Sequence, residues 1–173
     1  SQIAQEINGN KGLVGASKRV IIIPTVNPDG YKAGLDKVNA NNVNLNINFE
    51  TKGWKQYGGE GNKYFAGSKP FSESESRVIR DVVLKYNVKK MLSFHAKGSL
   101  VNSEIHGPSE ELARWYVSKT GYSFYEDTSW DYPGTATKWF TEAVGGPAIT
   151  VELPDYNDPD TARNKKAIFE LIK

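Results

Sequence analysis

The sequence of 173 residues has no cysteine and a single methionine. Without cysteine there is no disulfide framework, no thiolate metal ligand and no cysteine nucleophile. No apolar run approaches the ~20 residues that a membrane helix needs. The longest, Val20–Ile23, has only the length of a strand. Neither sign of charge dominates: 22 Lys and Arg stand against 20 Asp and Glu, a formal net charge of +2. That balance argues against a nucleic-acid or membrane-surface partner. There is no internal repeat, no low-complexity tract and no signal peptide, and the chain opens at Ser1 rather than Met, which reads as a processed or cut piece. Aromatic residues, by contrast, make up 12% of the chain. That share and the length together predict one packed domain over 1–173, able to bury a core without covalent staples.

Arg19 to Thr25 is β-branched and almost wholly apolar, which predicts a strand buried on both faces. It runs into Asn27-Pro28-Asp29-Gly30, a strong turn signal. Six asparagines crowd Asn39 to Asn48, a composition that favours turns and bonds from side chain to backbone. Ser72 and Glu75 have the spacing of a capping box ahead of Val78, Ile79, Val82, Val83 and Tyr86 at helical intervals. Strands are expected at Lys90–His95, Val101–Ile105 and Pro147–Leu153. Further helices are expected from Pro108, over Ala136–Val144 and over Asp160–Lys173. Strands alternating with helices predict an α/β domain with a parallel or mixed sheet.

In open α/β sheets, ligands bind beyond the carboxyl ends of the strands. His95 and Glu152 close two of the expected strands, and Asn27-Pro28-Asp29-Gly30 follows another. An imidazole at such an end can ligate zinc or transfer protons; it can equally be a hydrogen-bonded histidine that finishes a strand. A carboxylate at the end of a buried strand needs a partner or a function, so Glu152 reads as a general base or as half of a salt bridge. Asn44 to Phe49 alternates polar and apolar residues, which reads as an edge strand or a turn. His106, with Glu104 near it, fits no zinc spacing and reads as a surface histidine.

Taken in order, several segments resemble the M14 zinc carboxypeptidases. They are Ile23-Pro24-Thr25-Val26-Asn27-Pro28-Asp29-Gly30-Tyr31, Asn44-Leu45-Asn46-Ile47-Asn48-Phe49, Gly67-Ser68-Lys69-Pro70-Phe71-Ser72-Glu73, Ser93-Phe94-His95 and Thr150-Val151-Glu152-Leu153. Gly134-Thr135-Ala136-Thr137-Lys138-Trp139-Phe140 and Ser93-Phe94-His95-Ala96-Lys97-Gly98 are similar to the bacterial branch, some of whose members cut γ-D-glutamyl bonds to diamino acids in cell-wall peptides. The resemblance implies a zinc-carboxypeptidase-like mixed β-sheet flanked by helices on both faces. It also implies hydrolysis of peptide or γ-glutamyl bonds by zinc-activated water, with a peptide or cell-wall peptide as substrate and an extracytoplasmic location. It makes His95 the last zinc ligand, Glu152 the general base and Asn46 a contact to the substrate carboxylate. Lys37 stands where the family has the arginine that polarises the carbonyl; Tyr132 lies nearest by motif to the mobile tyrosine, while Trp130 falls there if no gap is allowed. Three departures accompany it. No His-x-x-Glu occurs in 1–20, so the zinc site is incomplete in this chain. Ile47 replaces the clamping arginine, and Asn44 replaces an aspartate. The same departures suit a second reading, an inactive peptide-binding relative.

Overall fold

The computed structural model describes residues 2–125 and 132–173. The helices are α1 (Gln2–Gly9), α2 (Pro28–Ala33), α3 (Ser74–Lys85), α4 (Pro108–Thr120), α5 (Ala136–Val144) and α6 (Thr161–Ile172). The strands are β1 (Met91–Ala96), β2 (Leu100–Asn102), β3 (Ser123–Tyr125) and β4 (Ala148–Leu153). They form one mixed sheet in the order β1-β4-β2-β3. β4 runs parallel to β1 and antiparallel to β2, and β2 is parallel to β3.

The period of two in the strands divides the sheet into unlike faces. On one, Leu92, Val101, Ile149 and Val151 pack with Leu112, Ala113 and Tyr116 of α4 and Ala167 of α6. That face is apolar along its whole length. On the other, Met91 and Ala148 at the strand starts pack under Ile79 and Val83 of α3 and Trp139 and Phe140 of α5. Further along, this second face turns polar, because Ser93 is level with Thr150 and His95 with Glu152. The helices therefore flank both faces, and one face ends in a row of functional groups.

Local signals explain most of the boundaries. The Thr135 hydroxyl caps α5 by accepting from the Lys138 amide, and Gly145 ends the helix in the left-handed conformation at φ 73°. Pro108 opens α4, where its missing N–H does no harm. Three expectations need correction. Arg19 to Thr25 is not a strand: among the described residues no segment pairs with it, and Ile21, Ile22 and Ile23 are 39, 37 and 39% exposed. A β-branched run becomes a strand only where a neighbour supplies ladder bonds, and β1 is itself an edge of the sheet. Asn27-Pro28-Asp29-Gly30 is more than a turn, since the Asn27 side chain accepts from the Gly30 amide and starts α2. Ser72 and Glu75 form no capping box: Glu73 is the N-cap residue of α3, and the Ser72 hydroxyl donates to the Glu73 carboxylate instead.

The asparagine-rich stretch is largely buried and folds around its own amides. Asn48, fully buried, donates to the carbonyls of Ala66 and Lys69 and to Ser72. Its oxygen accepts from the Ser76 hydroxyl at 2.6 Å and from the Glu73 amide at 3.2 Å. Asn39 and Asn41 both donate to Glu73, which is 6% exposed, and these bonds hold its carboxyl below the ordinary value against the opposing effect of burial. Between them Leu45–Ile47 forms one turn of 3-10 helix capped by the Asn44 side chain, the turn rather than the edge strand of the two expected alternatives.

Candidate active site

His95 and Glu152 sit side by side on adjacent parallel strands. Nε2 of His95 is 3.0 Å from the Ser93 hydroxyl. Burial pushes the imidazole pKa down to about 4, and the nearby Lys37 ammonium acts in the same direction. The ring is therefore neutral at pH 7, the form in which histidine ligates metals or accepts a proton. Burial raises the Glu152 carboxyl above its ordinary value, with Lys37 opposing. Among the described residues, its Oε2 is buried and has no hydrogen-bond partner. A buried carboxylate oxygen without a donor is expensive to maintain, and a raised pKa suits a proton acceptor.

Lys37 ties a second group of residues to this pair. Its Nζ lies 5.9 Å from the centre of the Tyr64 ring. Tyr64 stacks on Tyr132 with ring centres 5.8 Å apart and planes 6° from parallel. Tyr57 meets Tyr132 edge-on, also at 5.8 Å. Burial raises the Tyr132 hydroxyl pKa. The backbone at Lys37 is left-handed at φ 69°, an uncommon state for a residue with a side chain. Asn46 lies on the 3-10 turn, its amide held by the Asn44 side chain at 3.1 Å. That turn runs beside the Tyr132 segment, because the Phe49 amide donates to the Gly134 carbonyl and the Gly134 amide to the Thr51 hydroxyl. Ile47 is 2% exposed and belongs to the core, so its side chain offers no polar group to a ligand.

Thus His95 and Glu152 are neighbours, the charge of Lys37 acts on both, Tyr132 joins through Tyr64, and Asn46 sits on the adjoining turn. Trp130, the other position for the mobile tyrosine, lies outside the described residues. His106 is a surface residue that pairs with Glu110 at 2.9 Å. A polar chain not anticipated from the sequence extends from this centre. Thr150 Oγ1 is 3.4 Å from Thr137 Oγ1, and Thr137 and Thr135 both donate to the Glu104 carboxylate. The alternation Thr150-Val151-Glu152 places Thr150 on the face of Glu152, which is the one signal the sequence held.

Residues 14–166 match the family Peptidase_M14, zinc carboxypeptidase. The chain belongs to the zinc carboxypeptidase family. It is 29% identical over 143 residues to murein peptide amidase A of Vibrio campbellii, covering 77% of this chain and 56% of that protein. It is 25% identical over 173 residues to murein peptide amidase A of Escherichia coli, covering 92% of this chain and 67% of that protein. The chain thus spans between about half and two-thirds of the length of these relatives. The crystal structure of murein-tripeptide amidase from Escherichia coli O157 superposes with a TM-score of 0.67 at 26% identity, over 85% of this chain and 65% of that one. Carboxypeptidase A from Helicoverpa armigera shares the fold, with a TM-score of 0.69 at 20% identity, over 87% of this chain and 49% of that one.

The family is zinc-dependent. Among the described residues, however, no three His, Cys, Asp or Glu side chains gather into a group that could hold a metal ion. A catalytic zinc takes three protein ligands. His95 offers one, so these residues alone do not fit the ion.

Proposed function

We propose that this chain is the general-base and substrate-binding part of a peptidase that cuts murein peptides, with the γ-D-glutamyl bond to a diamino acid as the bond cleaved. The observation that carries the reading is the Glu152 carboxylate, beside the neutral His95 and with a buried, unpartnered Oε2. That oxygen is placed to take a proton from an attacking water and to pass it to the departing amine. Lys37 holds positive charge beside both groups, which suits an oxygen that gains negative charge as the bond breaks. The likeness to two murein peptide amidases supports the substrate class. His95 provides a single imidazole towards the family's zinc, so activity is assigned to the longest natural form of the protein.

With Ile47 in the core, selection of a free terminal carboxylate by a planar guanidinium is absent at that position. The test is hydrolysis by the longest natural form, supplied with zinc, of a murein tripeptide and of ordinary peptides with hydrophobic C-termini. Cleavage of the murein peptide, lost in Glu152→Gln, is the expected result. Strong release of simple hydrophobic C-terminal residues would contradict the altered carboxylate site. Binding of the tripeptide with no cleavage would establish the inactive peptide-binding relative instead.

A further inference from the structure

A cavity of about 440 Å³ opens beside α3, lined by Glu50, Lys69, Pro70, Phe71, Arg77 and Arg80. None of these residues takes part in the chemistry described above. Three of them are cationic and one is anionic, in a chain whose charges nearly balance as a whole. The volume is that of a small-ligand site.

The cationic wall is fixed by the backbone. Buried Asn48 donates from its side chain to the Lys69 carbonyl at 3.2 Å, and its own carbonyl accepts from the Phe71 amide at 2.7 Å. The Ser72 amide closes the turn on the Lys69 carbonyl. Phe71 is left-handed there at φ 55°, an uncommon state for a residue with a side chain. In this turn the carbonyls of Phe71 and Ser72 both accept from Nη1 of Arg77, at 2.9 and 2.6 Å. Nη1 is thereby spent on the backbone. The Nε and Nη2 donors of Arg77 have no hydrogen bond among the described residues, and neither has the Lys69 ammonium. The Arg77 charge also acts on the Glu73 carboxylate, which Asn39, Asn41 and Ser72 already meet with hydrogen bonds. The Arg80 guanidinium lies 5.0 Å from the centre of the Phe71 ring and is partly offset by Asp81, with which it pairs at 2.8 Å.

We propose that this cavity binds a phosphate ester of a polyhydroxy alcohol. The Nε and Nη2 edge of Arg77 is a planar fork that matches two phosphoryl oxygens, and Lys69 adds a point charge from the turn. Three cations suit a phosphate monoester, whose charge approaches −2, better than a carboxylate. Glu50 shares the lining, and its carboxylate accepts from hydroxyl groups on the alcohol. The ester is either a free small molecule or one unit of an anionic polymer, with the same phosphoryl chemistry.

The experiment titrates glycerol 1-phosphate, glycerate and a glycerol phosphate oligomer into the protein at constant ionic strength. NMR follows the amides of residues 69–72 and the Arg77 Nε–H group. The expected result is saturable binding of glycerol 1-phosphate, ~10-fold tighter than that of glycerate, and ~10-fold weaker in Lys69→Gln. The Lys69 side chain has no partner to lose, so this variant keeps the melting temperature of the parent. Arg77→Lys keeps the charge without the fork and weakens binding as well. Tighter binding of the oligomer, per phosphate, identifies a polymer as the source of the ester; equal affinity identifies the free molecule. Shifts that do not saturate, that glycerate or chloride reproduces, or that both variants leave unchanged overturn the proposal. No readout needs zinc or turnover, so the outcome is independent of the hydrolysis proposed at Glu152.

Discussion

The carbonyl oxygen of Ile47 lies 2.5 Å from the point where Gly134 would carry a Cβ, and Trp54 Cδ1 lies 2.6 Å from it. Gly134 also has a φ of +90°, which side chains disfavour. The turn bearing Asn46 can approach the Tyr132 segment only because position 134 is bare. Gly134→Ala is expected to destabilise the protein by ~3 kcal/mol, from crowding and backbone strain together. Urea unfolding measures this directly. If the turn moves as a unit, affinity for peptide substrate falls in the same variant.

Glu152→Gln should separate stability from activity. The folded protein raises the carboxyl pKa, so the ionised group opposes folding. Its cost is absent below the unfolded value of 4.5 and is fully present once the pH passes the raised folded value. At pH 7 the glutamine variant is therefore expected to be as stable as the parent or more so. Its turnover should fall by ~10²- to 10⁴-fold. Paired denaturation curves and rate measurements check both signs.

His95 has the opposite pH dependence. It is held neutral, with a pKa of about 4 against an ordinary 6.5. Its contribution is complete above pH 6.5 and is lost as the pH falls towards 4, where the unfolded chain gains a proton that the fold does not accept. At about 1.4 kcal/mol per pH unit, the loss is at most ~3.5 kcal/mol in metal-free protein. In His95→Asn this part of the acid slope should vanish. In Lys37→Met the imidazole and the Glu152 carboxyl should both titrate at higher pH, which NMR of the two side chains would show.

Asn48 is a structural residue in a stretch that reads as functional. Its side chain makes five hydrogen bonds while fully buried. Asn48→Ala is expected to cost more than ~2 kcal/mol, because it leaves buried donors and acceptors unmet. Thermal unfolding measures it, and the loss should exceed that of Asn46→Ala on the adjoining turn.

What could be read from the sequence was local. α5 begins and ends at the expected residues, Ala136 and Val144, because its cap and its terminal glycine lie in the same short window. β4 is legible for a similar reason, since Ile149 and Val151 alternate with Thr150 and Glu152. The strand ends also pointed to His95 and Glu152, which lie in register on β1 and β4. What was missed depended on partners distant in sequence. Arg19 to Thr25 has the composition of a strand but no neighbour to pair with among the described residues. Ser72 has the spacing of a cap, but its hydroxyl turns to Glu73 and to Asn48, 24 residues away. Glu104 gains meaning only from threonines 31 and 33 residues further on.

The unpaired isoleucines also bear on how this polypeptide behaves at high concentration. Ile21, Ile22 and Ile23 form an uncharged β-branched run in contact with water, and among the described residues no strand pairs with the outer edge of β1. Each copy thus carries both an unsatisfied strand-former and an edge on which a strand could be templated. Self-association at high concentration is therefore the expected behaviour of this chain in isolation, which light scattering would detect. A lysine in place of Ile22 should raise its solubility limit while leaving its melting temperature unchanged.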